Sequence, residues 1–163
     1  MRASFKGHNY DTASLEFSPN GQFLVSASWD CTVRLWRMRD GSSRQLMVTD
    51  GIPNTVSFSV QGRYVFSGND DSCLRIWDTR TDKLMAKWKG HLGRVWCVAL
   101  SKDGKGLVSG GEDKILKYWD TSQYKEILRF EGHTVRSVLC HLLQNFCLTH
   151  SPGIHSFDCV LLR

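Results

Sequence analysis

FLVSASWDCTVRLWR, residues 23–37, is spelled three times in this chain with small changes. The second copy is YVFSGNDDSCLRIWD at 64–78, and the third is GLVSGGEDKILKYWD at 106–120. In each copy a Ser is followed four residues later by Asp, and six residues after that by Trp. Ser26, Asp30 and Trp36 fill the first copy, Ser67, Asp71 and Trp77 the second, and Ser109, Asp113 and Trp119 the third. The tryptophans lie 41 and 42 residues apart. A residue that recurs in register serves the architecture first, so the repeat is settled before any single residue is read as a site.

Each copy carries four short strand signals separated by turn signals. In the first these are ASLEF (13–17), QFLVSAS (22–28), CTVRLWRM (31–38) and RQLMV (44–48). SPNG, SVQG and SKDG occupy the first turn of successive copies and place Gly21, Gly62 and Gly104 in register. Glycine there supplies the positive φ of a tight hairpin. The second turn reads as the two residues Trp29 and Asp30. Phe23-Leu24-Val25, Tyr64-Val65-Phe66 and Leu107-Val108 are continuous apolar runs, which implies strands covered on both faces. A four-stranded antiparallel sheet covered on both faces and repeated every ~40–45 residues is the blade of a propeller. The fold class expected is all-β: three complete blades, about 12–48, 54–88 and 95–130, in an open arc with partial blades at both ends.

Bulk properties fit this reading. The 163 residues are 41% hydrophobic and 23% charged, as in ordinary globular proteins. The start, MRASFKGHNYD, has no apolar signal region, and no apolar run approaches the ~18 residues of a membrane span. An intracellular protein, nuclear or cytoplasmic, without disulfides is expected. Cys31, Cys73 and Cys97 read as small hydrophobes within strands. The net charge is +5, but the basic residues are scattered singly, which argues against direct nucleic-acid binding.

A second marker precedes the first strand of two copies, Gly7-His8 and Gly90-His91, and returns at Gly132-His133. The corresponding His position of the second copy is Thr49. Gly-His, Ser, Asp and Trp together in register over residues 1–138 resemble the WD-repeat family. The resemblance implies a structural tetrad in which Asp accepts from His, His bonds the Ser hydroxyl, and Ser bonds the Trp indole. It maps onto His8, Ser26, Asp30 and Trp36, and onto His91, Ser109, Asp113 and Trp119. The second copy has Ser67, Asp71 and Trp77 without a His, so Asp71 is expected to be the least satisfied carboxylate. A hydrolase triad of the same Ser, His and Asp is set aside because the group recurs with a Trp donor in fixed register. No catalytic residue, cofactor or metal is expected.

The chain departs from a complete propeller. ASFK (3–6) sits in a fourth-strand slot, and HTVRSVLC (133–140) in a first-strand slot, after which the repeat is lost. An edge strand at 2–6, an exposed apolar sheet face at each end of the arc, and self-association or a completing chain are expected. Residues 139–163 form a non-repeat tail. Its Cys140, His141, Cys147, His150, His155 and Cys159 suggest zinc at first sight, but the Cys140–Cys147 gap is wider than paired zinc ligands use.

Strand direction places the Asp turns at the Gly-His end, where WD-repeat proteins commonly bind partners. Trp29, Asp70 and Glu112 precede the three Asp residues there, with Tyr10 and Arg94 just past the Gly-His positions. They are the candidate contacts for other proteins or peptides, with Trp29 the aromatic anchor and Asp70 and Glu112 suited to a basic peptide. The function implied is a non-enzymatic interaction scaffold. Residues 47–71 are similar to a blade of Tup-type transcriptional corepressors. Trp77-Asp78-Thr79-Arg80 resembles the motif of substrate receptors for cullin–RING ubiquitin ligases, with Asn69 departing from the longer pattern.

Overall fold

The computed structural model describes residues 5–48 and 50–131. Among the described residues there are twelve strands and no helix. The first antiparallel sheet holds β1 (Thr12–Phe17), β2 (Phe23–Ser28), β3 (Thr32–Arg37) and β4 (Ser43–Val48) in chain order. The second holds β5 (Pro53–Phe58), β6 (Tyr64–Asn69), β7 (Cys73–Asp78) and β8 (Lys83–Lys89). The third holds β9 (Val95–Leu100), β10 (Gly106–Gly111), β11 (Leu116–Asp120) and β12 (Lys125–Phe130).

The turns explain the repeat's spelling. Gly21, Gly62 and Gly104 have φ of 66°, 69° and 72°. Beside them the hydroxyls of Ser18, Ser59 and Ser101 accept the N–H of Phe23, Tyr64 and Gly106, which fixes where the second strand begins. The second hairpin is longer than the two residues read from the sequence. Cys31, Ser72 and Lys114 take left-handed φ of 62°, 66° and 64°, so each loop closes as a turn followed by a left-handed residue. The carboxylates of Asp30, Asp71 and Asp113 each accept the N–H two residues ahead and hold that loop. Cys31 therefore lies in a turn rather than a strand; Cys73 opens β7, and Cys97 is buried in β9.

Alternation along the strands separates the residues of each sheet into two faces. Val25, Val33 and Leu35 of the first sheet pack against Val56, Phe58, Val65 and Trp77 of the second. Phe66, Leu74 and Ile76 of the second pack against Val98, Leu100, Leu107 and Trp119 of the third. The Ser–Trp faces of the second and third sheets are thus each covered by the sheet before them. The first sheet's Ser–Trp face is not covered in this way: Leu15 and Phe17 are 57% and 55% exposed, whereas their register equivalents Val56, Phe58, Val98 and Leu100 are buried.

The two ends are built differently, and the first departs from the edge strand expected there. At the third sheet Cys97 and Ala99 are buried, with Val108 and Leu116 packed against them, while Leu128, on the same face of the outermost strand, is 43% exposed. At the other end Phe5 and Lys6 are not in a strand. Phe5 instead meets the Trp36 ring edge-on, with centroids 5.7 Å apart. Residues 2–4, Thr49, His133, the slot at 133–140 and the cysteines and histidines of the tail lie outside the described residues.

Candidate interaction face and the tetrads beneath it

The turns at the Gly-His end are held from below by buried polar groups. In the first sheet His8 Nδ1 is 3.0 Å from Asp30 Oδ2, and His8 Nε2 is 2.6 Å from Ser26 Oγ. Trp36 Nε1 donates to the same Oγ at 2.7 Å. Asp30 also accepts the Asn9 N–H at 2.9 Å and the Thr32 hydroxyl at 2.6 Å. The third sheet repeats the arrangement. His91 Nδ1 is 2.9 Å from Asp113 Oδ1, His91 Nε2 is 2.7 Å from Ser109 Oγ, and Trp119 Nε1 donates to that Oγ at 2.8 Å. Leu92 N–H donates to Asp113 Oδ2 at 3.0 Å. Each group ties the segment before the first strand to the turn between the second and third. The Ser oxygens are buried and accept an indole N–H, an arrangement that offers no approach to a substrate carbonyl.

The second sheet is built differently, and Asp71 is not the poorly satisfied member expected. Arg75 donates to both of its carboxylate oxygens, through Nη1 at 3.0 Å and Nη2 at 2.5 Å. The Arg75 side chain is 2% exposed. Lys87 Nζ lies 3.6 Å from Asp71 and 3.1 Å from Asp50, which extends the network to solvent. Above Trp77, whose Nε1 donates to Ser67 Oγ at 3.2 Å, the Asn69 amide donates to the same Oγ at 3.3 Å and to the Cys73 carbonyl at 3.0 Å. A fixed guanidinium holds the carboxylate that an imidazole holds in the other two sheets. Asn69 and Arg75 were not singled out in the sequence. The signal was available: Arg34, Arg75 and Lys117 share one register position, and Asn69 stands where its equivalents are Ser28 and Gly111.

These contacts shift proton affinities. Burial alone would raise the Asp30 carboxyl, but the Thr32 hydroxyl, the Asn9 N–H and His8 outweigh it and hold it well below the usual carboxylate range. At Asp113 burial is likewise outweighed, by the Leu92 N–H and His91, and at Asp71 by the Arg75 guanidinium. His91 is pushed down by burial, with Asp113 opposing. Both kinds of shift give the same sign. At these four groups the unfolded chain binds protons more readily than the folded one, so their contribution to stability is lost as pH falls. The His91 contribution declines below about pH 6.5, and the carboxylate contributions decline below about pH 4, toward their lowered folded values. Thermal melts at pH 7.5, 5.5 and 3.5 should show a falling midpoint in both steps, and His91→Gln should flatten the first. A midpoint unchanged from pH 7.5 to 3.5 would contradict the tetrad electrostatics.

A profile described as "WD domain, G-beta repeat" matches residues 1–37, 44–78 and 82–120. The chain belongs to the WD40-repeat family. It is 32% identical over 103 residues to "Autophagy-related protein 16" of Arabidopsis thaliana, covering 63% of this chain and 20% of that protein. It is 36% identical over 108 residues to "Guanine nucleotide-binding protein subunit beta" of Nicotiana tabacum, covering 60% of this chain and 29% of that protein. The chain thus spans well under a third of these relatives' length. Among solved structures, "Crystal structure of RRP9 WD40 repeats" superposes with a TM-score of 0.73 at 21% identity, over 79% of this chain and 41% of that one. That likeness speaks for the fold.

On this WD40 scaffold the five candidate contacts gather at the Gly-His end but differ in character. The backbone N–H of Trp29, Asp70 and Glu112 donates to the carbonyls of Asp11, Ile52 and Arg94, one bond per sheet in register. Asp70 Oδ1 then accepts the Ile52 N–H at 2.6 Å, so this carboxylate closes its own loop. Glu112 Oε2 accepts the Arg94 N–H at 3.4 Å. The Arg94 guanidinium lies over the Trp96 ring, 5.9 Å from its centroid. Trp29 and Tyr10 stand out, 55% and 71% exposed. Leu92 joins them at 82% exposure. It follows a tetrad His directly, a position the sequence reading passed over. Among the described residues no three His, Cys, Asp or Glu side chains converge to hold a metal ion, and no helix is long and apolar enough to cross a membrane.

Proposed function

We propose that this chain is a non-enzymatic scaffold that binds other proteins or peptides through its Gly-His end. The reading rests on one observation: Tyr10, Trp29 and Leu92 expose large apolar surfaces on loops pinned by the buried tetrads. Aromatic side chains preset on rigid turns lose little entropy on binding and make good anchors. Arg94 and Glu112 form a polar rim. Quantitative pull-downs comparing wild type with Trp29→Ala and Leu92→Ala test it. At least one variant should lose roughly tenfold or more of its captured partner, the scale of one anchor residue, with an unchanged melting midpoint. Identical partner recovery by both variants would reject the face.

Within this reading the compartment is intracellular, nuclear or cytoplasmic. A role in transcriptional repression rests on the resemblance of residues 47–71 alone. The uncovered Leu15–Phe17 edge supports self-association or a completing chain. A second reading, a ubiquitin-ligase substrate receptor, has Arg80 in its favour. Trp77, Asp78 and Thr79 are buried, and Asp78 caps the N–H groups of Arg80 and Thr81, which leaves the Arg80 side chain outward. Loss of a cullin-linked adaptor on Arg80→Ala would favour that reading.

A further inference from the structure

A cleft of about 230 Å³ opens between the first and second sheets, at the end opposite Trp29. Phe23, Leu35 and Phe58 form its apolar part, and Arg44, Arg63 and Arg80 line it. Two of the arginines are partly neutralised. Arg63 Nη2 lies 3.1 Å from Asp78, and Arg44 Nη1 lies 3.2 Å from Asp82. Arg44 also reaches across to donate to the Thr79 carbonyl. The Arg80 guanidinium has no acceptor among the described residues.

This collection of cations is not a property of the repeat. The glycine, serine and threonine of the cleft recur in register at the junction of the second and third sheets, where Gly104, Ser59 and Thr121 stand for Gly62, Ser18 and Thr79. The arginines do not recur: Ala86, Lys105 and Ser122 occupy the places of Arg44, Arg63 and Arg80. A shared position is architectural, whereas three guanidiniums at one junction alone need another reason. The cavity is smaller than the roughly 300–1,000 Å³ of a small-molecule site, a size suited to one or two side chains of a peptide.

We propose that this cleft binds a peptide segment carrying an anionic side chain next to an apolar one. The anion pairs with Arg80, with Arg63 and Arg44 beside it, and the apolar residue lies on Phe23 and Phe58. Guanidiniums suit this task because their planar donors match carboxylate and phosphate oxygens. The site is remote from the Gly-His end, so its failure and the failure of the proposed face are separable.

Fluorescence anisotropy with the full chain tests the proposal. The probes are labelled Gly/Ser octapeptides with a central Glu-Leu, phosphoserine-Leu, Gln-Leu, Glu-Gly or Lys-Leu pair. Glu-Leu or phosphoserine-Leu should bind roughly tenfold tighter than Gln-Leu, the scale of one charge-assisted contact. The tighter of the two names the anion. Glu-Gly should bind more weakly than Glu-Leu. Arg80→Glu and the milder Arg80→Gln should both abolish the preference for the anion, while Trp29→Ala should leave it intact. Equal affinity for Glu-Leu, phosphoserine-Leu and Gln-Leu, or anion binding that survives both Arg80 variants, would overturn the proposal.

Discussion

Trp77→Ala is expected to lower stability by about 3–5 kcal/mol, the usual cost of emptying a large aromatic site. Trp77 is 1% exposed and packs in the apolar layer between the first and second sheets. Its removal leaves a cavity there and deprives the Ser67 hydroxyl of its indole donor. The damage should reach beyond the second sheet, because Val33 and Leu35 belong to the same layer. Urea denaturation measures the effect. A variant with a midpoint within experimental error of wild type would show that Trp77 does not carry this layer.

Asp71→Ala should have a loss of similar size, about 3–5 kcal/mol, because it strands a buried guanidinium. Arg75 is deeply buried, and its next carboxylate, Asp50, is 4.0 Å away on an exposed side chain. Replacing both partners by apolar residues, Asp71→Leu with Arg75→Met, should recover most of the loss, since no charge is then left unpaired. The double variant separates a buried ion pair from a packing effect. If Asp71→Ala costs less than about 1 kcal/mol, the range of an exposed pair, then the guanidinium is not what replaces the histidine in this blade.

The sequence made the repeat legible because its markers are side chains whose burial demands a fixed register. Ser26, Ser67 and Ser109 each sit ten residues before a Trp whose indole they accept, and that spacing is visible without coordinates. Gly21, Gly62 and Gly104 were legible for the same kind of reason, one backbone conformation at one position. The second sheet's network was not. Arg34, Arg75 and Lys117 share a position, yet only Arg75 turns onto the tetrad Asp; Lys117 pairs with Glu126 instead. Which acceptor a long side chain reaches depends on three-dimensional neighbours that spacing does not encode. The same holds for Asp70, which reads as a free acid but closes its own loop, and for Leu92, whose N–H is held by Asp113 while its side chain stands exposed. Arg44 and Arg63 looked like scattered basic residues until the first two sheets brought them to one cleft.

The direct test of the proposed interaction face is a hydrogen-exchange footprint. Exchange of the chain alone is compared with exchange in complex with a protein recovered in the pull-down. Binding through the Gly-His end should slow exchange in three separated segments at once, around Tyr10, around Trp29 and around Leu92, while the outer strands β4, β8 and β12 stay unchanged. Protection confined to those outer strands, with the three loops exchanging as in the free chain, would contradict it.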